Sequence, residues 1–466
     1  ELVIIPSPGQ GHTQPALRLA GLLLDSDHRL SITVLLIPAF YPSDVLRRLP
    51  AENSRIRFIA VPPSEFAPST EAPIYLMRSF IASHRDNVRK EVKKLVEASG
   101  SHSVLAGFVV DMFCGSMIDV ADEFGVPSYV FYASGASYLG LAFHIGEWQR
   151  EKKKDLSVLR DSAATISIPS YRNPFPAKLL PPGAFDESSV PIFVQLSADF
   201  KRAKGILINT FLELETHGIN SFSDGDEFPP VYSIGPLINS GNDDKNPKFL
   251  EIKNWLDEQP DSSVIFLCFG SRGWFDREQV EEIAAGLERS GHRFLWSLSK
   301  PPPPGTLGSE GDYENFDEIL PEGFLRRTAG IGKLIGWAPQ IAVLSHRAVG
   351  GFVSHCGWNS ILESLWAGVP IAAWPMFADQ QANAFQLVED SGLAVEMKLD
   401  YHKNIFGHGS SKIVGADEIE ASVRKLMDSG SRITAEVQVM KEKSRAALSV
   451  NGSSSGYIRS FVDSLV

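Results

Sequence analysis

The sequence is short of cysteine, of positive charge and of long apolar runs, and each shortage excludes a class of protein. Its three cysteines lie far apart with no Cys-x-x-Cys spacing, which argues against a disulfide scaffold or a zinc site. A net charge of −12 disfavours nucleic acid as a partner. No apolar run reaches the roughly 18 residues of a membrane span, and the first run is too short for a signal-peptide core. We therefore expect a cytoplasmic protein that is neither exported nor bound to a membrane.

The sequence does have the length and composition of a globular protein with two cores. Hydrophobic residues make up 43% and charged residues 21% of its 466 residues, which excludes a disordered or fibrous chain. Single cores stop growing at roughly 250–300 residues, so we expect two domains. A stretch rich in Gly, Asn, Asp and Pro reads as the linker between them. The predicted ranges are an N-terminal domain over 1–235, a linker over 236–249, a second domain over 250–445, and a C-terminal helix over 446–466 that packs back on the N-terminal domain.

Short β-branched runs alternate with helical patterns along both halves of the chain. The runs Leu2–Pro6, Val104–Asp111 and Ser262–Ser271 predict strands, and apolar residues at helical spacing predict a helix that starts just after His12. Alternation of this kind is typical of βαβ units with parallel strands. The predicted fold class is α/β, with two doubly wound Rossmann-like domains.

One predicted strand–helix turn, GGFVSHCGWNS, carries an unusual density of polar side chains. The pattern predicts a strand that ends near His355, a tight turn at Gly357 and a helix that ends at Ala367–Gly368. Ligands of doubly wound sheets bind beyond the carboxyl ends of the strands, and helix N-terminal amides there suit a diphosphate. Two interpretations of Ser360 and Glu363 stay open. They contact a ligand, or they form a capping box that only satisfies the amides of their own helix.

His12 and Asp111 are candidates for acid–base chemistry. A histidine at a helix N-terminus is disfavoured as imidazolium by the helix dipole, which leaves the neutral ring able to accept a proton. Asp111 ends an apolar strand, and an aspartate bonded to the far ring nitrogen would hold the tautomer. Each residue also has a plain structural interpretation, as a surface histidine and as a strand-end carboxylate. Gly9–Gln14 lacks the third glycine of a dinucleotide fingerprint, so a nicotinamide cofactor is not expected.

The segment Trp337–Gln380, with its WAPQ, HCGWNS, ESLWAGVP and DQ motifs, resembles the signature box of plant secondary-product UDP-glycosyltransferases. The PSPGQGH start, Asp111 and the FGS of Phe269–Ser271 also stand where that family places them. The resemblance implies the GT-B fold, in which two Rossmann-like domains face a cleft, with the acceptor on the first and the UDP-sugar on the second. It also implies a monomer that transfers glucose from UDP-glucose to a hydroxyl of a flavonoid, phenolic or triterpenoid-like acceptor. Such transfer inverts the configuration and needs no metal or other cofactor.

The resemblance further implies roles for single residues. His12 would be the general base, assisted by Asp111. Trp337 would stack on the uracil, Gln340 would bond near the uridine, and Glu363 would accept from the ribose hydroxyls. The expected diphosphate contacts are Ser271, His355, Asn359 and Ser360. The expected sugar contacts are Trp358, Asp379 and Gln380, and a closing glutamine in this box is associated with glucose. The residues expected around the acceptor are Gln10, Phe80, Phe113, Phe175, Phe185 and Phe377.

Three positions depart from the family pattern. Arg272 and Trp274 follow FGS where small or apolar residues are usual, so the arginine could strengthen donor binding or pair elsewhere, and the tryptophan could narrow the acceptor mouth. Asp379 stands where glutamate is common. Two other functions stay open, a nucleotide-sugar epimerase or hydrolase on the same scaffold and a catalytically silent UDP-sugar-binding protein.

Overall fold

The computed structural model describes residues 1–38, 55–66, 73–99, 104–152, 156–160, 162–186, 189–223, 228–239, 247–303, 311–403 and 412–465. Its strands are β1 (Leu2–Ile5), β2 (Ile32–Leu36), β3 (Ile56–Ala60), β4 (Gly107–Asp111), β5 (Ser128–Tyr132), β6 (Thr165–Ile166), β7 (Phe175–Pro176), β8 (Gly205–Ile208), β9 (Val231–Ser233), β10 (Val264–Cys268), β11 (Arg293–Ser297), β12 (Ser299–Lys300), β13 (Gly311–Asp312), β14 (Gly332–Ile335), β15 (Val349–Ser354), β16 (Ile371–Ala373) and β17 (Ala394–Glu396). Its helices are α1 (Gln10–Ser26), α2 (Pro73–Ser83), α3 (Arg85–Ser99), α4 (Ile118–Glu123), α5 (Ala136–Lys152), α6 (Pro191–Arg202), α7 (Leu212–Asn220), α8 (Pro247–Asp257), α9 (Arg277–Ser290), α10 (Phe324–Thr328), α11 (Gln340–Leu344), α12 (Trp358–Ala367), α13 (Gln380–Phe385), α14 (Ala416–Leu426), α15 (Arg432–Ala447) and α16 (Ser453–Asp463). None of the described helices is both long and apolar enough to cross a membrane.

The chain divides into two compact units, each built on a parallel sheet. The first unit contains Glu1–Pro174, Pro182–Asn239 and Ala446–Val466, and its described strands run in the order β3-β2-β1-β4-β5-β8-β9. The strands β1, β4 and β5 are buried along their whole length, and their sequences LVII, GFVVD and SYVFY are almost entirely apolar. Unbroken apolar strands are typical of a parallel sheet that is covered on both faces.

The second unit contains Phe175–Pro181 and Ser240–Arg445, and its sheet has the order β14-β11-β10-β15-β16-β17. Counted along the chain this is the 3-2-1-4-5-6 order of a doubly wound Rossmann sheet, and the first unit begins with the same order. The predicted fold class is confirmed.

The division of the chain differs from the predicted ranges at two places. Phe175–Pro181 joins the second unit, where the Phe175 ring packs against Phe385 with ring centres 5.0 Å apart. Helix α8 begins at Pro247, inside the predicted linker, because proline suits the first turn of a helix. Of that linker, 240–246 lies outside the described residues.

Helix α1 begins at Gln10, so the prediction that it starts just after His12 is wrong by about one turn. Gly9 is its N-cap, and the Thr13 amide donates to the Gly9 carbonyl at 2.9 Å. The apolar periodicity that marked the helix begins only in its second turn, because the first turn lies at the polar end of the sheet.

The last described helix, α16, completes the core of the first unit. Its Phe461 ring is fully buried and meets Tyr129 and Tyr232 edge-on, with ring centres at 4.8 and 5.8 Å. The Ser454 hydroxyl donates to the Gly235 carbonyl at 2.5 Å. The helix therefore contributes apolar burial to a unit whose sheet is built from strands within the first 233 residues of the chain.

We expect Phe461→Ala to lower the free energy of unfolding of the first unit by about 3–5 kcal/mol, because it leaves a cavity between two tyrosines. Urea unfolding, followed by hydrogen exchange of first-unit amides, measures the loss. Val450→Ala is the control, since Val450 is 80% exposed and its truncation should cost no more than about 0.5 kcal/mol. Equal losses for the two variants would contradict a core role for α16.

Candidate active site

His12 and Asp111 form a hydrogen-bonded pair at the carboxyl edge of the first sheet. His12 lies in the first turn of α1, directly after β1, and Asp111 is the last residue of the neighbouring parallel strand β4. His12 Nδ1 and Asp111 Oδ2 are 2.9 Å apart, with 27% of the His12 side chain exposed and none of the Asp111 side chain. A neutral ring that donates Nδ1–H to a carboxylate presents Nε2 as a proton acceptor.

Ser7, which the sequence analysis did not single out, holds the other oxygen of Asp111. The buried Ser7 hydroxyl donates to Asp111 Oδ1 at 2.5 Å, and the Phe113 amide donates to the same oxygen at 3.2 Å. Two neutral donors thus stabilise the buried carboxylate and leave Oδ2 to His12. The available signal was a small hydroxyl residue directly after β1, at the edge where β4 ends.

Of the residues expected around the acceptor, Gln10 and Phe113 lie beside this pair. Gln10 opens the helical turn that carries His12, and the Phe113 ring centre is 5.4 Å from the His12 ring centre. Both side chains are partly exposed. An aromatic ring therefore packs beside the histidine, and Gln10 lies in the same helical turn.

The other four expected acceptor residues lie on other elements of the two units. Phe80 is partly exposed on α2, and Phe185 is buried beneath the Arg160 guanidinium, 5.3 Å from the ring centre. Phe175 is fully buried in the second unit, and Phe377 packs against the core of that unit. The complete burial of Phe175 favours a packing role for this ring.

The polar turn in the second unit has the local structure that its sequence predicts. Strand β15 ends at Ser354, Gly357 is the N-cap of α12, and Gly368 closes that helix in the left-handed conformation. Cys356, between strand and helix, has φ 59°, which is uncommon for a residue other than glycine. Such strained positions concentrate at functional sites.

The capping-box interpretation of Ser360 and Glu363 is wrong. No side chain caps α12, and the Gln340 amide nitrogen donates instead to Ser360 Oγ at 2.9 Å and to Glu363 Oε2 at 2.8 Å. Gln340 is the first residue of α11, so the three side chains join two neighbouring helices. Burial raises the pKa of Glu363 to about 7, and the Gln340 bond offsets only part of this effect.

His355 is buried between two glycines. A Cβ added at Gly270 or at Gly357 would lie 2.6 Å from His355 Nε2, so only glycine lets both backbones approach the ring. Burial lowers the pKa of His355 to about 4, although a hydrogen bond to the Cys268 backbone opposes this shift. The ring is therefore neutral at pH 7. Its buried Nδ1 atom has no hydrogen-bond partner among the described residues.

These features form a candidate anion site at the start of α12. The helix has ten residues, and its N-cap Gly357 lies against the His355 ring. Ser271 is exposed directly after Gly270, and Asn359 is partly exposed in the first turn of the helix. Within the described ranges, no group of three or more His, Cys, Asp or Glu side chains could hold a metal ion.

Two of the three residues expected to contact the sugar, Asp379 and Gln380, lie at the start of α13. Gln380 Oε1 accepts the Met376 and Phe377 amides at 2.9 and 3.0 Å, and these two bonds do not use its Nε2 group. Ala378 has φ 62°, so the turn before α13 is also strained. Asp379 is partly exposed at the N-cap of α13.

Asn383, which the sequence analysis also missed, joins this turn to the polar turn before α12. Its Nδ2 group donates to Asp379 Oδ2 at 2.9 Å and to the Cys356 carbonyl at 3.2 Å. The spacing of four residues from Asp379 on one helix was the available signal. Of the other two expected donor residues, Trp358 is buried at the start of α12, and Trp337 is partly exposed just before α11.

Comparisons with known proteins agree on one family. A family profile described as "UDP-glucoronosyl and UDP-glucosyl transferase" matches residues 231–402. UDP-glycosyltransferase 71E1 of Stevia rebaudiana is 47% identical over 99% of this chain and 98% of its own length. Anthocyanidin 3-O-glucosyltransferase 1 of Manihot esculenta is 45% identical over 98% of this chain and 100% of its own length. The crystal structure of Medicago truncatula UGT71G1 complexed with UDP-glucose is 39% identical, covers 100% of this chain and 98% of its own, and has a TM-score of 0.85.

We expect Gly270→Ala to destabilise the second unit more than Gly291→Ala. Both glycines have left-handed backbones, with φ 73° and 69°, so both variants carry a cost of about 1–2 kcal/mol. The Gly291 position has no atom within 4 Å of an added Cβ, whereas the Gly270 position meets the His355 ring. Displacing that ring should cost a further 1–3 kcal/mol, roughly, in the free energy of unfolding. Equal losses in urea unfolding would show that His355 is not held tightly.

Proposed function

The chain belongs to the plant UDP-glycosyltransferase family and is a UDP-glucose-dependent O-glycosyltransferase, and we propose that the His12–Asp111 pair activates a hydroxyl of its small lipophilic acceptor. The observation that supports the pair most directly is the 2.9 Å contact between His12 Nδ1 and Asp111 Oδ2. With that nitrogen bonded, Nε2 accepts the acceptor proton as the oxygen attacks. Asp111 then stabilises the imidazolium that forms.

The proposed donor contacts are the ones that the family resemblance implies, and all of them lie in the second unit. Trp337 stacks on the uracil, and Gln340 and Glu363 bind the uridine, the latter through the ribose hydroxyls. The diphosphate contacts are Ser271, His355, Asn359 and Ser360, and the last three lie at or just before the start of α12, where helix amides suit a diphosphate. The sugar contacts are Trp358, Asp379 and Gln380. The second unit thus binds the UDP-sugar, and the first unit binds the acceptor.

The proposed reaction is a single displacement at the anomeric carbon. The acceptor oxygen forms a bond to that carbon from the face opposite the diphosphate, and the bond to the diphosphate oxygen breaks. UDP leaves with the electron pair, so the configuration inverts. The amides at the start of α12 and the neighbouring side chains take up the new negative charge, which is why we propose that no metal is required.

The acceptor class is inferred from the relatives and from the ring beside His12. Relatives are named as glucosyltransferases of flavonoids and anthocyanidins, which are flat and hydroxylated. Phe113 lies 5.4 Å from His12 and offers a ring face to such a molecule. No observation favours an epimerase, a hydrolase or a silent binding protein. We propose a monomeric, cytoplasmic enzyme, and its three buried free thiols suit a reducing compartment.

His12→Ala should lower kcat by about 10²–10⁴ while leaving the affinity for UDP-glucose unchanged, because the base acts on the acceptor and not on the donor. The assay is mass-spectrometric detection of hexose transfer from UDP-glucose to a panel of flavonoids, phenols and triterpenoids, in EDTA. His28→Ala is the control, since His28 is an exposed histidine of the same unit and should keep full activity. Full activity of His12→Ala would contradict the proposed base, and loss of wild-type activity in EDTA would contradict metal independence.

The affinity for UDP-glucose should rise up to about tenfold from pH 6 to pH 8. The pKa of Glu363 is about 7 in the free protein, and only the carboxylate can accept from both ribose hydroxyls. The pKa of His355, about 4, lies below this window. Calorimetric titration with UDP-glucose measures the change, and UDP-glucose itself has no phosphate group that titrates there. Glu363→Gln should bind equally at both pH values, so a persistent slope in this variant would contradict the role of Glu363.

A further inference from the structure

The unusual Trp274 is buried beneath a lysine. The Lys403 ammonium lies 3.7 Å from the centre of the Trp274 ring, and it pairs with Asp276 at 2.7 Å. Only 3% of the Lys403 side chain is exposed. Trp274 therefore meets a cation within the second unit, at the end of the loop that carries Ser271.

Lys403 is also bonded to the turn that carries the proposed sugar contacts. The Lys403 amide donates to the Met376 carbonyl at 2.8 Å, and the Gln381 amide group donates to the Tyr401 carbonyl at 2.8 Å. The segment 401–403 thus holds both ends of the turn 376–381. This turn contains the strained Ala378, and a strained backbone persists only where its surroundings hold it.

Burying a charged lysine at this position costs free energy. Burial lowers the pKa of Lys403, which shows the cost of keeping its charge there, and Asp276 offsets part of that cost. An apolar side chain could cover Trp274 without this cost, so stability alone gives no reason for a cation. A cation held by both a ring and a carboxylate does set the position of its own backbone more narrowly than apolar packing would.

We propose that Trp274, Lys403 and Asp276 are positioning residues that hold the turn 376–381 in place and thereby set the preference for glucose over galactose in the donor. The inference rests on the proposed function, in which Asp379 and Gln380 contact the sugar. Glucose and galactose differ in the orientation of one hydroxyl. A site distinguishes such sugars only if its hydrogen-bonding groups are held in place.

The first test measures the turn without any catalysis. In Lys403→Met, hydrogen exchange of the Met376 and Phe377 amides should become at least about tenfold faster, because their bonds to Gln380 depend on the turn. Lys403→Arg should restore slow exchange, since a guanidinium can cover the ring and pair with Asp276. Lys398→Met is the control, because it removes a lysine that pairs with Glu418 near the surface. Unchanged exchange in Lys403→Met would overturn the proposal, even if the enzyme used another donor.

The second test measures sugar preference. The ratio of kcat/KM for UDP-glucose to that for UDP-galactose should fall at least fivefold, roughly, in Lys403→Met and stay at the wild-type value in Lys403→Arg and Lys398→Met. The inhibition constant of UDP, which has no sugar, should change less than about twofold. An unchanged ratio, or a parallel loss of UDP binding, would overturn the proposal and indicate a merely structural lysine. If the wild-type enzyme itself fails to use UDP-glucose, the proposed function is the part that is wrong.

Should Lys403→Met fail to fold, Trp274→Phe keeps an aromatic ring of smaller area beneath the same cation. It should lower the glucose preference in the same direction and by a smaller factor. A Trp274→Phe enzyme with the wild-type ratio and wild-type exchange would count against the proposal.

Discussion

The structure depends on one constraint, which is that the strands of the large sheet in each unit are parallel. Every strand then ends at the same edge, and the loops that leave this edge bring together residues that are far apart in the chain. Asp111 meets His12 in this way, across the neighbouring strands β1 and β4. In the second unit, the loops after β10 and β15 bring Gly270 against His355. The polar side chains of each unit are thus concentrated at the sheet edge where helices begin. The first amides of a helix have no hydrogen-bond partner within that helix.

Each carboxylate proposed to act at these edges is held by a neutral donor. Ser7 holds Asp111, Gln340 holds Glu363, and Asn383 holds Asp379, at 2.5, 2.8 and 2.9 Å. A charged partner would stabilise the carboxylate more strongly, but it would compete with the groups that the carboxylate must bind. A hydroxyl or an amide also orients the carboxylate, but it competes less strongly with the groups that the carboxylate must bind. The site therefore stays available for a ligand while its side chains remain fixed.

The backbone conformation of the second unit's site is as closely constrained as its side chains. Gly270 and Gly357 lie so close to the His355 ring that a methyl group on either one would collide with it. Cys356 and Ala378 adopt left-handed conformations that cost free energy, and each directly follows or precedes a proposed ligand contact. The hydrogen bonds of Asn383 link the two strained turns, so they support each other. A site of this kind is preorganised by contacts that do not themselves touch a ligand.

The sequence by itself determined the fold class, the end of α12 and the presence of polar residues at the strand ends. Each of these depends on a local pattern, either the alternation of strand and helix periodicity or the residue type that ends a strand. It could not show that Ser7 holds Asp111 or that Asn383 reaches the Cys356 carbonyl, since hydrogen bonds between distant segments leave no local pattern. It also left Glu363 open between a capping box and a ligand contact, and only the structure, in which Gln340 donates to Glu363 and no side chain caps α12, removed the capping box. The resemblance implied an acceptor contact for Phe175, and nothing in the sequence indicated that its ring would be fully buried against Phe385. Which core buries an apolar side chain depends on how the chain crosses between units, and only tertiary packing determines that.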